Sequence, residues 1–419
     1  MAASTVGRAS RLDTPTRLWL LLAAAVAAVL TVGLVAGFSL AGRETSAAHT
    51  AGGTEVLYRE VQNLSYSLAD ADATAATALL IGPETPTEFS TRYDTDITQA
   101  EDQLAAASQR VTGDAYASAQ LRSVAEQLPQ YTGMIGQAMA ENRLGYPVAG
   151  AFLRQASELL TGSMLVETWR VVDEQQSATS AGLGSSTSFP WWEFGLAALG
   201  IVTLWTVSRR VAAVSRRRLN PGLLGALLAV AALLVWSLFA FGAVGLQGSN
   251  ARTDYIGLAG AQTEISELSL TETFVALQQI DRGEDQGADA KAATTALAAT
   301  TPADSGASTH AAYLAVQNCV NGANGVIGLA DGGQYRAAVN ATVGSGAQVG
   351  TGGCEPKFST LRGDLQKIAA SAQSKFDQDM DGVRSQYADS VALPLALAIG
   401  ILGAAAAAYG VNRRLAEFR

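Results

Sequence analysis

The chain is organised around the stretch Arg209-Arg-Val-Ala-Ala-Val-Ser-Arg-Arg-Arg-Leu-Asn-Pro-Gly222. This stretch contains five arginines and no acidic residue, and an apolar segment long enough to cross a bilayer lies on each side of it. A short arginine-rich loop between two membrane spans stays in the cytoplasm, because positive charge close to a span resists translocation. The stretch therefore predicts which side of a membrane every other part of the chain occupies.

Four segments are apolar over the length that a membrane span needs. About 20 residues at a rise of about 1.5 Å each cross the hydrocarbon core. Glu193, near the outer end of the second segment, is the single charged residue in the four. The predicted spans are residues 18–40, 189–208, 223–246 and 391–410. They leave 1–17, 209–222 and 411–419 in the cytoplasm and 41–188 and 247–390 outside.

The distribution of charge agrees with this topology. The three predicted cytoplasmic pieces hold 11 of the 28 basic residues, opposed only by Asp13 and Glu417, so the rest of the chain carries a net charge of −18. An acidic exterior argues against binding to nucleic acid or to anionic lipid, although solubility alone also explains it. We expect a multi-pass plasma-membrane protein, in contact with membrane lipid, with both termini in the cytoplasm. The alternative for the first span is a signal peptide cleaved near Ala41-Gly42, but its apolar run exceeds the usual ~7–15 residues.

Both outside segments have the apolar periodicity of helices. Leu57, Val61, Leu64, Leu68, Ala71, Ala75 and Ala78 recur at steps of three and four, and Leu121, Val124, Leu128, Tyr131, Ile135 and Ala138 do the same. Similar patterns start near Tyr93, Phe152, Ile265, Tyr313 and Phe358, with a short alanine-rich piece at 291–299 and a glycine-rich loop at 344–354. Such spacing is typical of packed helices. We predict an all-α membrane protein with four transmembrane helices and two extracytoplasmic helical bundles.

Packing signals are present in the spans, whereas a transport pathway is not indicated. Gly33 and Gly37 are four residues apart in the first span, and Ala396, Gly400 and Ala404 repeat this spacing in the fourth. Small residues at this spacing let two helix backbones approach closely. Intramembrane charges mark routes for ions or substrates, and their scarcity here weakens the case for a transporter or a channel.

The two cysteines, Cys319 and Cys354, both fall in the second outside segment, where an oxidising compartment permits a disulfide. Two free thiols or an intermolecular bridge are the alternatives. His49 and His310 are isolated, so we expect no metal site. Asp377, Asp379 and Asp381 resemble the start of a calcium loop, but Ala388 stands where the bidentate acid is required. Phosphate-binding and nucleophile motifs do not occur, so we expect no cofactor and no enzymatic activity.

The two halves of the chain repeat one plan of span, helical segment and returning span, which indicates an internal duplication. Pro190 and Pro394 lie near the outer ends of the two returning spans, 204 residues apart. Such a duplication would place the copies around an approximate twofold axis along the membrane normal. Two unrelated alanine-rich helical segments remain the alternative explanation.

Each half resembles the four-helix-bundle sensor modules of bacterial chemoreceptors and sensor kinases, in which two bundle helices continue into the membrane. The duplicated four-span layout, with 24 arginines against four lysines, is similar to the tetraspan actinobacterial membrane proteins of a glutamate- or glutamine-sensing system. That resemblance implies a solute-binding lipoprotein outside and protein kinase G inside. In chemoreceptors and sensor kinases a signalling domain follows the second span. Here 14 residues join the halves and 9 follow the last predicted span, so we expect no signalling domain of that kind.

The expected function is a non-catalytic transmembrane relay between an extracytoplasmic ligand or solute-binding protein and a cytoplasmic signalling protein. A structural or assembly protein of the cell envelope is the alternative. Pro190 and Pro394 are the candidate transmission joints, since a proline can kink or end a helix. Topology alone explains the arginines, and contact with a cytoplasmic partner is an additional hypothesis for Arg209, Arg210, Arg216, Arg217, Arg218, Arg413 and Arg414.

Overall fold

A computed structural model describes residues 14–111, 113–187, 191–215, 221–281, 307–322, 324–345, 349, 352–388 and 392–416. Across these residues the secondary structure is helical and contains no strand, which confirms the all-α prediction for them. The first half comprises α1 (Thr14–His49), α2 (Glu55–Ile81), α3 (Thr87–Arg110), α4 (Ala115–Arg143), α5 (Ala149–Leu159), α6 (Leu165–Thr187) and α7 (Trp191–Ser215). The second half comprises α8 (Pro221–Asp281), α9 (Ala307–Asn321), α10 (Val326–Asp331), α11 (Tyr335–Val343), α12 (Glu355–Ala388) and α13 (Ala392–Ala416).

The chain divides into two compact units. The first, here called the apolar unit, comprises Met1–Ala48, Gly182–Ser249 and Asp379–Arg419. The second, here called the polar unit, comprises His49–Ala181 and Asn250–Gln378. α6, α8 and α12 each contribute residues to both units.

The apolar unit has a core of small and aliphatic side chains from α1, α7, α8 and α13. A Cβ atom built on Gly33 of α1 would lie 3.2 Å from the Cα of Gly400 of α13, so a side chain there would push these two helices apart. This contact confirms the close approach that the spacing of small residues predicts. The core consists of Leu22, Ala25, Val29, Val32, Ala197, Leu204, Val207, Leu223, Ala226, Val230, Ala404 and Ala407.

Large apolar side chains of the same helices lie on the outside of this unit. Phe38 is 73% exposed and Phe239 is 74% exposed, and Leu199 and Leu402 are also exposed. Large apolar side chains on the outside suit a lipid environment, because a soluble protein rarely exposes so much apolar surface.

Two helices are long and apolar enough to cross a membrane, at Leu22–Ser39 in α1 and at Pro221–Phe239 in α8. They indicate a membrane protein and agree with the first and third predicted spans. Pro394–Gly410 in α13 is apolar but shorter. The described part of α7 is not among the helices that are long and apolar enough to cross a membrane. The four-span architecture and its boundaries therefore remain a prediction.

The polar unit is built around α2. Twenty of the 27 residues of α2 are buried, so this helix has neighbours on every side. The sequence predicts one narrow apolar face and a separate bundle for each outside segment. The structure instead joins both segments in one compact unit. The reason is compositional: Ala69, Ala73 and Ala76 lie off the predicted stripe, and their small side chains allow close packing there too.

The remaining core positions follow the sequence pattern closely. All six apolar residues predicted for α4, from Leu121 to Ala138, are buried, and α4 continues through Pro129. In the second segment, one core cluster contains Ile265, Leu268, Val275, Tyr313, Val316, Val320, Val326, Ile327, Cys354, Phe358, Leu361 and Leu365.

A disulfide between Cys319 and Cys354 joins the end of α9 to the residue before α12, consistent with the expected bridge. The two Cα atoms are 5.8 Å apart and 35 residues separate the cysteines in sequence. The described residues of the predicted loop 344–354 are not helical. The alanine-rich piece predicted at 291–299 lies outside the described residues.

Candidate functional site

Charged residues are buried in the middle of the polar unit, where α2, α3, α8 and α12 meet. α2 carries Asp70 and Asp72 within the run Ala69-Asp-Ala-Asp-Ala-Thr-Ala-Ala76, and both acids are almost fully buried. Alanine neighbours let other helices come close enough to supply partners for these acids. A buried charge needs such partners, because removing it from water is costly.

Asp70 is the centre of an ion-pair network that links the two segments predicted to lie outside, 41–188 and 247–390. Its Oδ1 lies 2.8 Å from Arg92 Nη2 of α3 and 3.1 Å from Arg362 Nη2 of α12. Arg362 also lies 2.5 Å from Glu272 Oε2 of α8, and Arg92 lies 3.2 Å from Glu355 Oε1 of α12. We call Asp70, Arg92, Glu272, Glu355 and Arg362 the ion-pair network.

Burial and charge shift the pKa values of this network. Burial opposes the charge of Arg362, but Glu272 and Asp70 outweigh it and raise the arginine's pKa. Burial raises the pKa of the Glu355 carboxyl, and Glu272 adds to the rise. The adjacent Asp96 has its pKa raised to about 7, first by burial and then by Asp70. Two arginines thus face more carboxylates than they can neutralise.

Asp72 occupies a second buried polar site in the same unit. Its Oδ1 accepts hydrogen bonds from Tyr131 of α4 and from Ser157 of α5, both at 3.0 Å. Burial raises the pKa of Asp72 to about 6, and hydrogen bonds from Ser157, Tyr131 and Thr273 offset part of that rise. Oδ2 is buried without a hydrogen-bond partner among the described residues.

Among the described residues of the polar unit, three of the cavities bear on function. A cleft of about 900 Å³ lies at the end where α2 passes into α3, and Tyr93, Asp94 and Arg143 are among its lining residues. Exposed Leu144 and Tyr146, in the turn after α4, lie beside Arg143 in sequence. These apolar side chains give this end of the unit a surface suited to protein contact.

The other two cavities differ in position and lining. One of about 450 Å³ lies at the opposite end, between the π-helical turn Thr50–Thr54, the α3–α4 turn and α6. Another of about 290 Å³ lies between α2, α3, α8 and α12 and is lined largely by amide side chains. The described residues contain no cluster of histidine, cysteine, aspartate and glutamate that could hold a metal ion.

The predicted site residues lie elsewhere. Arg209 and Arg210 are exposed at the end of α7, with the Arg209 guanidinium carbon 4.0 Å from the centre of the Trp205 ring. Arg413 is exposed near the end of α13, where Arg414 follows it, and Pro394 is the third residue of that helix. Pro190, Arg216, Arg217 and Arg218 lie outside the described residues. The partner-contact and joint roles of all these residues stay predictions.

Sequence reasoning missed the ion-pair network. The available signal was a pair of aspartates in an otherwise alanine-rich helical stripe, because an acid at a core position needs a buried partner. Which arginines would meet these acids depends on how α3, α8 and α12 pack, and spacing along the chain does not encode that.

One family comparison bears on this unit. Residues 46–183 match the Actinobacterial sensor domain. The matched range includes α2 to α5 and most of α6, so the sensor domain contains Asp70, Asp72 and Arg92 of the buried sites. It covers less than half of the chain and supports a sensor protein from actinobacteria, with a role in sensing or signalling. No curated protein and no solved structure gives a significant match.

Proposed function

We propose that the protein is a non-catalytic transmembrane relay that couples an extracytoplasmic ligand or solute-binding lipoprotein to a cytoplasmic signalling protein, such as a Ser/Thr kinase. In this proposal the polar unit is outside the cell and the ends of α7 and α13 are inside. The resemblance to amino-acid-sensing systems makes a lipoprotein that binds glutamate or glutamine a candidate partner.

The observation that carries the proposal is the length of α8. This helix runs for 61 residues without interruption, or about 90 Å at about 1.5 Å per residue. Its first part, Pro221–Phe239, is apolar enough to cross a membrane, and its last part supplies Glu272 to the ion-pair network. A small shift or rotation of one continuous helix is an established way to carry a signal.

The surface beside the large cleft supports the position of the outer partner. Leu144 is 67% exposed and Tyr146 is 56% exposed, and charged side chains from Asp94, Glu101 and Arg143 line the cleft itself. An apolar patch with a charged surround suits a protein that binds and dissociates. We place the solute-binding protein on this surface.

Site-specific crosslinking in membranes tests both ends of the relay. A photoreactive residue at Tyr146 should capture a solute-binding protein, and one at Arg210 or Arg413 should capture a cytoplasmic signalling protein. Exposed Tyr116, at the opposite end of α4, is the matched aromatic control position for the outer side. Capture of envelope-assembly proteins alone, from all positions, would favour the structural alternative.

Thiol labelling tests the topology that the relay requires. Ser208→Cys in α7 should resist an impermeant reagent in intact cells, whereas Ser90→Cys, exposed in α3, should react. Reaction of the Ser208→Cys variant from outside would contradict the proposed orientation.

A further inference from the structure

The amide-lined cavity lies between four helices and is partly open to solvent. Its volume is about 290 Å³, close to the lower limit of small-molecule sites. The walls come from α2 and α3 of the sensor domain and from α8 and α12 of the second segment. Leu258, Ile265 and the Tyr66 side chain give it partly apolar sides. Six of the twelve lining residues carry amides: Gln62, Asn63, Gln99, Gln262, Gln366 and Gln373.

Two of these amides have unused hydrogen-bonding capacity. Gln262 Oε1 and Gln373 Oε1 are buried and have no partner among the described residues. Gln373 donates its amide hydrogen to Asp377 at 2.8 Å, and Gln366 donates to the Tyr66 hydroxyl at 2.9 Å. Buried amide oxygens that lack a donor are costly, and rotation of either side chain toward the cavity would let a bound molecule with hydroxyl groups supply that donor.

Arg59 and two nearby acids, Glu55 and Asp377, leave little net charge in and around the cavity. Among the described residues that line the cavity, Arg59 is the one cation and none is a carboxylate. Glu55, one turn before Arg59 on α2, is buried and interacts electrostatically with it. A free anion would therefore compete with Glu55 for the guanidinium, and a free cation would find no acid in the lining. The cavity is best matched by an uncharged molecule.

We propose that this cavity binds a neutral polyhydroxylated molecule of the size of a mono- or disaccharide. Each hydroxyl group both donates and accepts, as each lining amide does, so a sugar can satisfy Gln262 and Gln373 while it accepts from other amides. The Tyr66 ring offers an apolar face for the C–H groups of a sugar ring. The binding site needs only the cavity. A signalling role for this binding rests on the proposed relay, in which the bound molecule would draw α8 and α12 toward the sensor domain.

Calorimetric titration of the full-length protein tests the proposal. The protein is held in lipid nanodiscs, because detergents with sugar headgroups would occupy the same site. Glucose and maltose are the probes, with glutamate as an anionic comparator. We expect heat from at least one sugar in the micromolar to millimolar range, and none from glutamate at this site.

Matched variants connect the binding to this cavity. Gln262→Leu and Gln373→Leu should each raise the dissociation constant for the sugar about tenfold, since each removes one buried acceptor. Gln137→Leu, an exposed glutamine of α4 outside the cavity, should leave it unchanged. Circular dichroism confirms that each variant is folded.

Three results would overturn the proposal: no sugar binding up to millimolar concentration, binding of glutamate in place of sugar, or equal affinity in all three variants. These results leave the relay itself untouched, because crosslinking and labelling test it without any ligand. Conversely, sugar binding lost in the two cavity variants would stand even if no cytoplasmic protein were captured.

Discussion

Arg362 is the residue on which the charge balance of the ion-pair network depends. It lies within ion-pair distance of Asp70 and Glu272, which come from different outside segments, and its side chain is only 7% exposed. A buried ion pair adds little net stability, because desolvation opposes the attraction between the charges. We infer that the network fixes how α12 packs against α2 and α8.

Arg362→Met should destabilise the protein by about 3–5 kcal/mol, because it leaves Asp70 and Glu272 buried without their shared cation. Urea unfolding of the full chain, followed by circular dichroism, measures the change. The control is Lys367→Ala, which removes an 80% exposed partner of Asp364 on the same helix. It should cost less than about 1 kcal/mol. Equal effects of the two substitutions would contradict the role given to Arg362.

Asp72 should make stability depend on pH. Its pKa rises from 3.8 in the unfolded chain to about 6 in the fold, so the folded state holds the proton longer. Stability from this group is therefore lost as pH rises between these two values. Because asparagine does not titrate, the free energy of unfolding of Asp72→Asn should increase relative to that of wild type by up to about 3 kcal/mol as the pH rises through this window. Unfolding curves at several pH values, with exposed Asp102→Asn as control, measure it. Parallel curves for wild type and Asp72→Asn would refute it.

At the scale of helices, apolar periodicity predicts the existence and the core faces of most elements. The stripe in α4 and the cluster around Phe358 show why: each helix there buries one side, so one face is apolar. The pattern does not predict that α8 continues past Gln247, because a change from apolar to polar residues marks a change of solvent and not the end of a helix.

Apolar periodicity does not predict a π-helical turn. Pro190 and Pro394 stay the predicted transmission points, and the structure adds a π-helical turn at Thr50–Thr54, which includes Gly52 and Gly53. π-helical turns are frequent at functional positions. The paired glycines were the available signal, since glycine weakens a regular helix.

The disulfide should hold the second segment together. Closure of a loop of 35 residues stabilises a chain by up to about 4 kcal/mol in the entropy model. Cys319→Ser should lower stability by about 2–4 kcal/mol and speed limited proteolysis within 344–354. Cleavage at the α4–α5 turn near Gly145 is the internal control. Non-reducing gels after alkylation should show the bridge within one chain, and free thiols on both cysteines in envelope protein would contradict it.

The molecule as a whole combines an apolar unit, whose large side chains face outward, with a polar unit that buries charge at its centre. The apolar unit can be predicted from the sequence, because its long apolar runs are visible there. The arrangement of the polar unit depends on contacts between residues far apart, such as Asp70 and Arg362. The ion-pair network is therefore assembled only when both segments fold together.

The relay predicts that the helical phase of α8 matters. One or two alanines inserted after Gly248, within α8, turn the helix beyond that point by about 100° or 200°, whereas four add about 1.1 turns and nearly restore the phase. If α8 carries the signal, crosslinking of the cytoplasmic partner at Arg210 should change with one or two alanines and recover with four. Thiol labelling of Ser90→Cys verifies that each variant inserts correctly. A structural protein requires no particular phase, so the same crosslinking yield for all three insertions would exclude transmission through α8.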